Sequence, residues 1–217
     1  MPDLEDVRAS YDAVAERYAE EIGDELAGKP IDRALYGCLA ELVGPDALVA
    51  DVGCGPGHVT RYLADLGLTA LGVDASPGMV EVARRRHPGL RFVVGTFGEL
   101  PAGDGEWSGV VAAYALIHLD RDGRRAAALE LARAVAASGW LLAAFHVSAA
   151  GQPTGSVKHV NTWWDIDVDL DFHFLDPVEV ASDLQTAGFE IMSRVDREPW
   201  PEVEYPSRRS YLLARRR

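Results

Sequence analysis

Apolar side chains recur at steps of three and four from the start of the chain. Leu4, Val7, Tyr11, Val14, Tyr18 and Ile22 share one face of a helix. Gly23 and Gly28 interrupt the stripe, and Pro30 suits the first position of a new helix. Ile31, Leu35, Cys38, Leu39 and Leu42 continue the pattern until Gly44-Pro45 stops it. The spacing thus predicts two helices before any strand.

From Leu48 the period changes. Short apolar runs alternate with helical segments, the pattern of βαβ units around a parallel sheet. The runs LVADV (48–52), TALGV (69–73), RFVV (91–94), GVVAAY (109–114) and WLLAAFH (140–146) predict five parallel strands. Helices are expected near 58–66, after Ser76-Pro77 as N-cap and first position, and over about 122–137. Asp176, Pro177 and Glu179 read as the start of another helix with a reciprocal capping box, and Gly188 as its stop. FEIMSRV (189–195) and SYLLARR (210–216) predict a terminal hairpin. Between 147 and 175 lies a polar stretch with Trp163-Trp164 and aspartates at 165, 167, 169 and 171. A loop of this length in a compact domain usually carries function. The aspartates read as the solvated face of an edge strand, with recognition of a cationic substrate as the alternative. The whole is expected to be one α/β domain over 1–217 with a doubly wound sheet.

Composition narrows the function. The 217 residues hold 21 basic and 34 acidic side chains, a formal charge of −13. Such a surface repels a phosphate backbone and anionic lipid, so neither nucleic acid nor membrane is an expected partner. Hydrophobic residues at 48% with charged residues at 25% fit a packed globular chain. The acidic, amphipathic N-terminus does not read as a signal peptide. Two cysteines, Cys38 and Cys54, are too few for a disulfide framework and wrongly spaced for zinc, so a reducing, cytoplasmic setting is expected.

Gly53, Gly55 and Gly57 follow the first buried strand and precede a helix. Their missing side chains let a ligand reach the backbone and the helix N-terminus. Asp74 ends the second strand, where a carboxylate accepts hydrogen bonds from ribose hydroxyls. The glycines run G-x-G-x-G with His58 next, not G-x-G-x-x-G. Asp51 stands before the loop and no Lys or Arg lies within it, so the mouth suits a cation or zwitterion better than a pyrophosphate.

DVGCGPG (51–57), LGVDASPGM (71–79) and ALIHL (115–119) resemble successive motifs of the class I S-adenosylmethionine-dependent methyltransferases. The resemblance spans about 7–146 and returns in 175–191. It implies a Rossmann-like, seven-stranded sheet with the last strand antiparallel, a helical lid over 1–44, and a substrate cap over 147–175. It also implies S-adenosylmethionine as cofactor. Asp51, Gly53, Cys54, Gly55 and Gly57 would surround its methionine end and Asp74 would hold its ribose, with Ala75 and Met79 as apolar neighbours. An acid often follows the third strand in this family. Thr96 stands there, leaving Thr96 and the backbone of Phe97 as partners for the adenine. The usual turn before the fifth strand is degraded to Ala137-Ser138-Gly139.

Chemistry is expected at the carboxyl ends of the fourth and fifth strands, where ligands bind in open α/β sheets. Tyr114 closes the fourth strand and is a candidate for cofactor contact and catalysis. His118 is either a base for a hydroxyl or thiol or a packing residue. His146, at the end of the fifth strand, is a second base, a substrate contact, or a solvated strand end. Tyr11 and Tyr18 of the lid either touch the cofactor, and in the case of Tyr11 the substrate, or only pack. Trp163 and Trp164 are substrate candidates, and adjacent strand positions point to opposite faces, so only one is expected to reach a ligand. His173 could line the cavity or be satisfied internally. No metal site is expected, and the sequence is silent on oligomeric state. The leading expectation is methyl transfer to O, N or S of a small metabolite. The alternatives are a protein, peptide or RNA methyltransferase, a non-catalytic cofactor-binding module and, more remotely, a nicotinamide-dependent dehydrogenase.

Overall fold

The computed structural model describes residues 2–217. The two N-terminal stripes are α1 (Leu4–Ile22) and α2 (Pro30–Val43), joined by a 3-10 turn at Glu25–Gly28. Then follow β1 (Leu48–Val52), α3 (His58–Asp65), β2 (Thr69–Asp74), α4 (Pro77–Arg86), β3 (Arg91–Val94), β4 (Trp107–Ala113) and α5 (Arg121–Ala134). The chain continues with β5 (Val135–Ala149), β6 (Val157–Trp163), β7 (Ile166–His173), α6 (Pro177–Thr186), β8 (Phe189–Arg197) and β9 (Ser207–Arg216). Seven strands form one sheet in the order β3-β2-β1-β4-β5-β9-β8. The first five are parallel, and β9 runs antiparallel between β5 and β8, as the resemblance implies.

The strands are buried on both sides, so their apolar runs are continuous. One face packs Trp107, Phe145 and Phe189 against Ala127 and Leu131 of α5 and Leu184 of α6. The other packs Val111, Leu142 and Tyr211 against Tyr36 and Leu39 of α2 and Leu63 of α3. The Ala137-Ser138-Gly139 segment is not a free turn. It is absorbed into β5, with Ser138 at φ 66° where the register of β4 on β5 shifts between Trp107 and Gly109. Helix α5 accordingly ends at Ala134, earlier than its alanine-rich sequence suggests.

The stretch 147–175 is not a long loop. β6 and β7 pair as an antiparallel hairpin, with Val168 and Leu170 buried and Asp167 and Asp169 exposed. The alternating aspartates are thus the wet face expected of them, apart from Asp171, whose carboxylate bonds His159 Nδ1 at 2.9 Å. The hairpin packs on α1, not on the sheet: Val14, Ala15 and Ala19 meet Met79, Val82, Val168 and Leu170. Polar contacts fix this helix as well. Asp3 closes a capping box at its start, Asp12 Oδ1 accepts from Gly78 N at 2.7 Å and from the Ser76 hydroxyl, and Ser10 Oγ accepts from Asp169 N at 2.8 Å. Helix α1 therefore bridges α4 and the hairpin above the carboxyl ends of β1 and β4. Asp176 caps α6 through Val178 N at 2.8 Å, but Glu179 faces Arg121 and Arg124 and does not complete a capping box.

Candidate active site

The strand order reverses between β1 and β4, and a crevice opens beyond their carboxyl ends, as the topology requires. It forms a cavity of about 440 Å³, within the range of about 300–1,000 Å³ typical of small-molecule sites. Its floor is the β1–α3 loop. Gly53 adopts φ 79° and Gly55 φ 51°, backbone that residues with a Cβ resist. A Cβ on Gly53 would stand 2.3 Å from Ala115 Cβ, so the loop and the segment after β4 touch backbone to side chain. Gly57 has φ 85° and shapes the turn under Phe92, outside the cavity lining.

Asp74 holds this loop in shape. Its carboxylate accepts from Gly55 N at 2.8 Å and from Ser76 N at 2.9 Å. Burial nevertheless pushes its pKa up. Asp51 is 1% exposed, and its Oδ2 accepts from the Thr60 hydroxyl at 2.7 Å while Oδ1 has no partner. Burial raises its pKa to about 6, with Asp74 adding to the rise and the Thr60 bond opposing it. An orphaned buried carboxylate oxygen beside a glycine cradle is a place for a cationic donor group. The ammonium of a methionine moiety has that chemistry, so these residues fit S-adenosylmethionine.

Ala75, Met79, Thr96 and Phe97 line the β2 and β3 side of the cavity, and Cys54, Tyr18 and Tyr114 line it near the loop. Tyr114 is strained at φ 56°. It is held from behind, its hydroxyl lying 3.0 Å from that of Tyr211 and 3.4 Å from Asp32 Oδ1.

The opposite wall carries a hydrogen-bonded relay. Tyr11 Oη lies 2.7 Å from His118 Nε2, and His118 Nδ1 lies 3.1 Å from the carbonyl oxygen of Asp171. A peptide carbonyl can only accept, so Nδ1 carries the hydrogen, Nε2 is bare, and Tyr11 donates to it. Burial lowers the His118 pKa to about 4, the Asp171 carbonyl opposing, so the ring is neutral near pH 7. Burial likewise raises that of Tyr11 well above its usual value, with the neighbouring Tyr18 and Asp74 adding to it. His173 also lines the cavity.

Besides Gly57, three expected contacts lie elsewhere. His146 is not on the cavity wall. Its ring sits 5.0 Å behind that of Tyr114, and its Nδ1 bonds Ser207 Oγ at 2.7 Å. Strand alternation turns it to the side of Ala144 and Leu142, toward α2. Trp163 and Trp164 do not diverge. They stack at 4.6 Å and 15°, because Trp164 and Asp165 have φ 51° and 62° and form the hairpin turn, where strand alternation ends. Neither lines the cavity; Trp163 packs edge-on against Tyr11 and Tyr18 at 6.3 and 5.5 Å, buttressing residues that do.

Several lining residues carried no sequence signal. Glu25, in the 3-10 turn, faces the cavity and bonds His58 Nε2 at 3.3 Å and Lys29 Nζ at 2.7 Å. Burial would raise its pKa, but these partners outweigh that and hold it at about 2. Arg8 also lines the cavity, with its Nε donating to the Ala75 carbonyl at 3.0 Å. Behind the wall, Arg197 pairs with Asp32 at 2.9 Å and with Glu204, and Arg209 with Glu204 at 3.2 Å. This buried charge cluster ties α2 to the β8–β9 connection beneath Tyr114. Among the described residues no group of three His, Cys, Asp or Glu side chains is placed to hold a metal.

Residues 49–139 match the family model of a methyltransferase domain. A demethylmenaquinone methyltransferase of Beutenbergia cavernae is 33% identical over 116 residues, which is 52% of this chain and 48% of that protein. The chain spans about half the length of the curated relatives that it matches first. Among solved structures, the magnesium protoporphyrin IX methyltransferase of Synechocystis, with bound S-adenosylmethionine, superposes with a TM-score of 0.67 at 20% identity, over 100% of this chain and 98% of that one. The [4+2]-cyclase SpnF superposes at 0.75 and 18% identity, over 99% and 97%. Likeness at such identities establishes the fold and not the reaction. Residues 49–139 thus match a methyltransferase domain, and the fold is the one solved for S-adenosylmethionine-dependent methyltransferases. The cofactor of that class is S-adenosylmethionine.

Proposed function

We propose that the protein transfers a methyl group from S-adenosylmethionine to a heteroatom of a small molecule. The observation that carries this reading is that one cavity joins the glycine loop, Asp51 and Asp74 on one wall to the Tyr11–His118 relay on the other. The cofactor supplies, when bound, a methyl carbon made electrophilic by an adjacent sulfonium. Asp51 receives the methionine ammonium, Asp74 the ribose hydroxyls, and the backbone of Gly53, Gly55 and the buried Cys54 lies against the methionine end. Met79 and Ala75 pack the nucleoside, with Thr96 and Phe97 at the adenine. Tyr18, near Gly55, covers the methionine end from the lid.

Displacement at carbon needs the acceptor in line at near-attack distance, and orientation of this kind lowers a barrier by about 7–11 kcal/mol. Tyr114, Tyr11 and His173 hold the acceptor, and His118 Nε2 takes its proton. His146 acts behind the wall by positioning Tyr114, and the two tryptophans act by holding Tyr11 and Tyr18. Helix α1 and the β6–β7 hairpin pack on each other and exclude water from the crevice, in a single catalytic domain. The acidic balance disfavours nucleic acid as acceptor, and among the described residues no helix is long and apolar enough to cross a membrane. The free thiols of Cys38 and Cys54 suit a reducing cytoplasm. Incubation with methyl-labelled S-adenosylmethionine and fractionated metabolites is expected to yield a labelled small molecule together with S-adenosylhomocysteine. Transfer only to peptides or RNA, or none to any fraction, would refute the proposal.

A further inference from the structure

The cavity also says what kind of acceptor it can receive. Among the described residues six acids contribute to its lining, Asp3, Glu25, Asp51, Asp74, Asp120 and Asp171, the last with its carboxylate held by His159, against one cationic side chain, Arg8. That guanidinium is already engaged, by the Ala75 carbonyl at 3.0 Å and by Glu5 at 3.1 Å. Lys29 and Arg209, the cations nearest the Tyr114 ring at 5.3 and 5.7 Å, are 3% and 2% exposed and are paired with Glu25 and Glu204. Among the described residues no free cation is therefore offered to an anionic acceptor, and a carboxylate entering this space would be desolvated among like charges.

The relay presents the complementary feature. With Nδ1–H fixed on the Asp171 carbonyl, His118 turns a bare Nε2 toward the cavity, and Tyr11 is the donor that now satisfies it. A hydroxyl on the acceptor can take that donor role; a carboxylate, which brings only lone pairs, cannot. The same cavity is lined by Tyr11, Tyr114, Leu119 and Ala126, aromatic and aliphatic surfaces suited to a ring. Since about 440 Å³ must house the cofactor as well, the acceptor is compact.

Building on the methyltransferase reading, we propose that the acceptor is a small, uncharged ring bearing a hydroxyl group read by His118 Nε2 in place of Tyr11, and that carboxylate acceptors are rejected. As an oxygen lone pair forms the new O–C bond, the C–S pair leaves with sulfur. The O–H pair stays on oxygen, and the proton passes to Nε2. The products are a methyl ether, a thioether and an imidazolium.

The test uses matched probes on the full chain loaded with S-adenosylhomocysteine, whose uptake is first measured by calorimetry. 2-Naphthol and 2-naphthoate are then titrated at neutral pH and followed by ligand-observed NMR. The naphthol is expected to bind at least about tenfold more tightly, since one charge-assisted or fully desolvated contact is worth that much. In His118→Phe the preference is expected to shrink while cofactor affinity stays within about threefold; Tyr11→Phe, which frees Nε2, is expected to keep it. Equal or tighter binding of the naphthoate, or no binding of the naphthol to the loaded protein, would overturn the inference. Failure to take up S-adenosylhomocysteine would strike the methyltransferase reading itself, and the same probe pair on the cofactor-free chain would still decide the charge preference.

Discussion

Replacement of Gly53 by alanine tests the geometry of the loop with an internal control. Gly53 and Gly67 both occupy left-handed backbone, at φ 79° and 87°. Their surroundings differ: a Cβ at 53 meets Ala115 Cβ at 2.3 Å, whereas at 67 nothing lies within 4 Å. The conformational cost of alanine in this region is about 1–2 kcal/mol at either site. At Gly53 the overlap adds to it. Carbon atoms rest at about 3.5–4.0 Å, so the loop and the Ala115 segment must part by more than an ångström, an overpacking worth about 1–3 kcal/mol. Urea denaturation is therefore expected to show Gly53→Ala destabilised by about 2–5 kcal/mol and Gly67→Ala by about 1–2 kcal/mol. Calorimetry should show cofactor affinity lost only in the former, because the displaced strands are those that flank the cavity. Equal destabilisation of the two variants with cofactor binding intact in both would refute the close approach of loop and β4 end on which the site is built.

Acidification should cost stability. Burial holds His118 and His146 at pKa values of about 4 and 3, so between pH 6.5 and those values the unfolded chain takes up protons that the folded one refuses, and stability falls as pH falls. Asp51, raised to about 6, works in the opposite sense between pH 6 and 3.8, leaving a net loss on the order of 2 kcal/mol from pH 7 to 5. Chemical denaturation across this window should show that slope, flattened in His146→Gln; a slope unchanged by that substitution would contradict the assignment. Arg197→Ala should cost about 3–5 kcal/mol, because it leaves Asp32, whose side chain is 1% exposed, without its cation; a thermal shift of only a degree or two would show that the cluster is solvated. Trp163→Ala should speed amide exchange in α1 around Tyr11 and Tyr18 while leaving that of β4 and β5 unchanged, and uniform exchange across these elements would mean that the hairpin does not hold the lid.

The features legible in the sequence are those whose cause is local. The βαβ alternation, the glycine loop and Asp74 all follow from residues adjacent in the chain, and the antiparallel final strand follows from the family pattern that those motifs carry. The β6–β7 hairpin was obscured because its buried face, Val168 and Leu170, is only a few residues long and belongs to α1 rather than to the sheet. His146 was drawn to the mouth by its place at a strand end, whereas the parity of β5 turns it behind Tyr114. The stacking of Trp163 on Trp164 depends on two positive φ angles in a turn that no glycine announces. Glu25 bonds His58 from 33 positions away and Asp32 bonds Arg197 from 165, and nothing in one among 34 acids marks its partner. The Tyr11–His118 relay was present as two separate candidates; only the fold supplies the Asp171 carbonyl that orients it.

The central claim is that Asp74 and the glycine loop form a site for S-adenosylmethionine. Isothermal titration of S-adenosylhomocysteine into the wild type and Asp74→Ala tests it most directly. The account predicts micromolar binding by the wild type, weakened at least about tenfold by loss of the carboxylate. Absence of binding to the wild type, or equal affinity in both proteins, would contradict it.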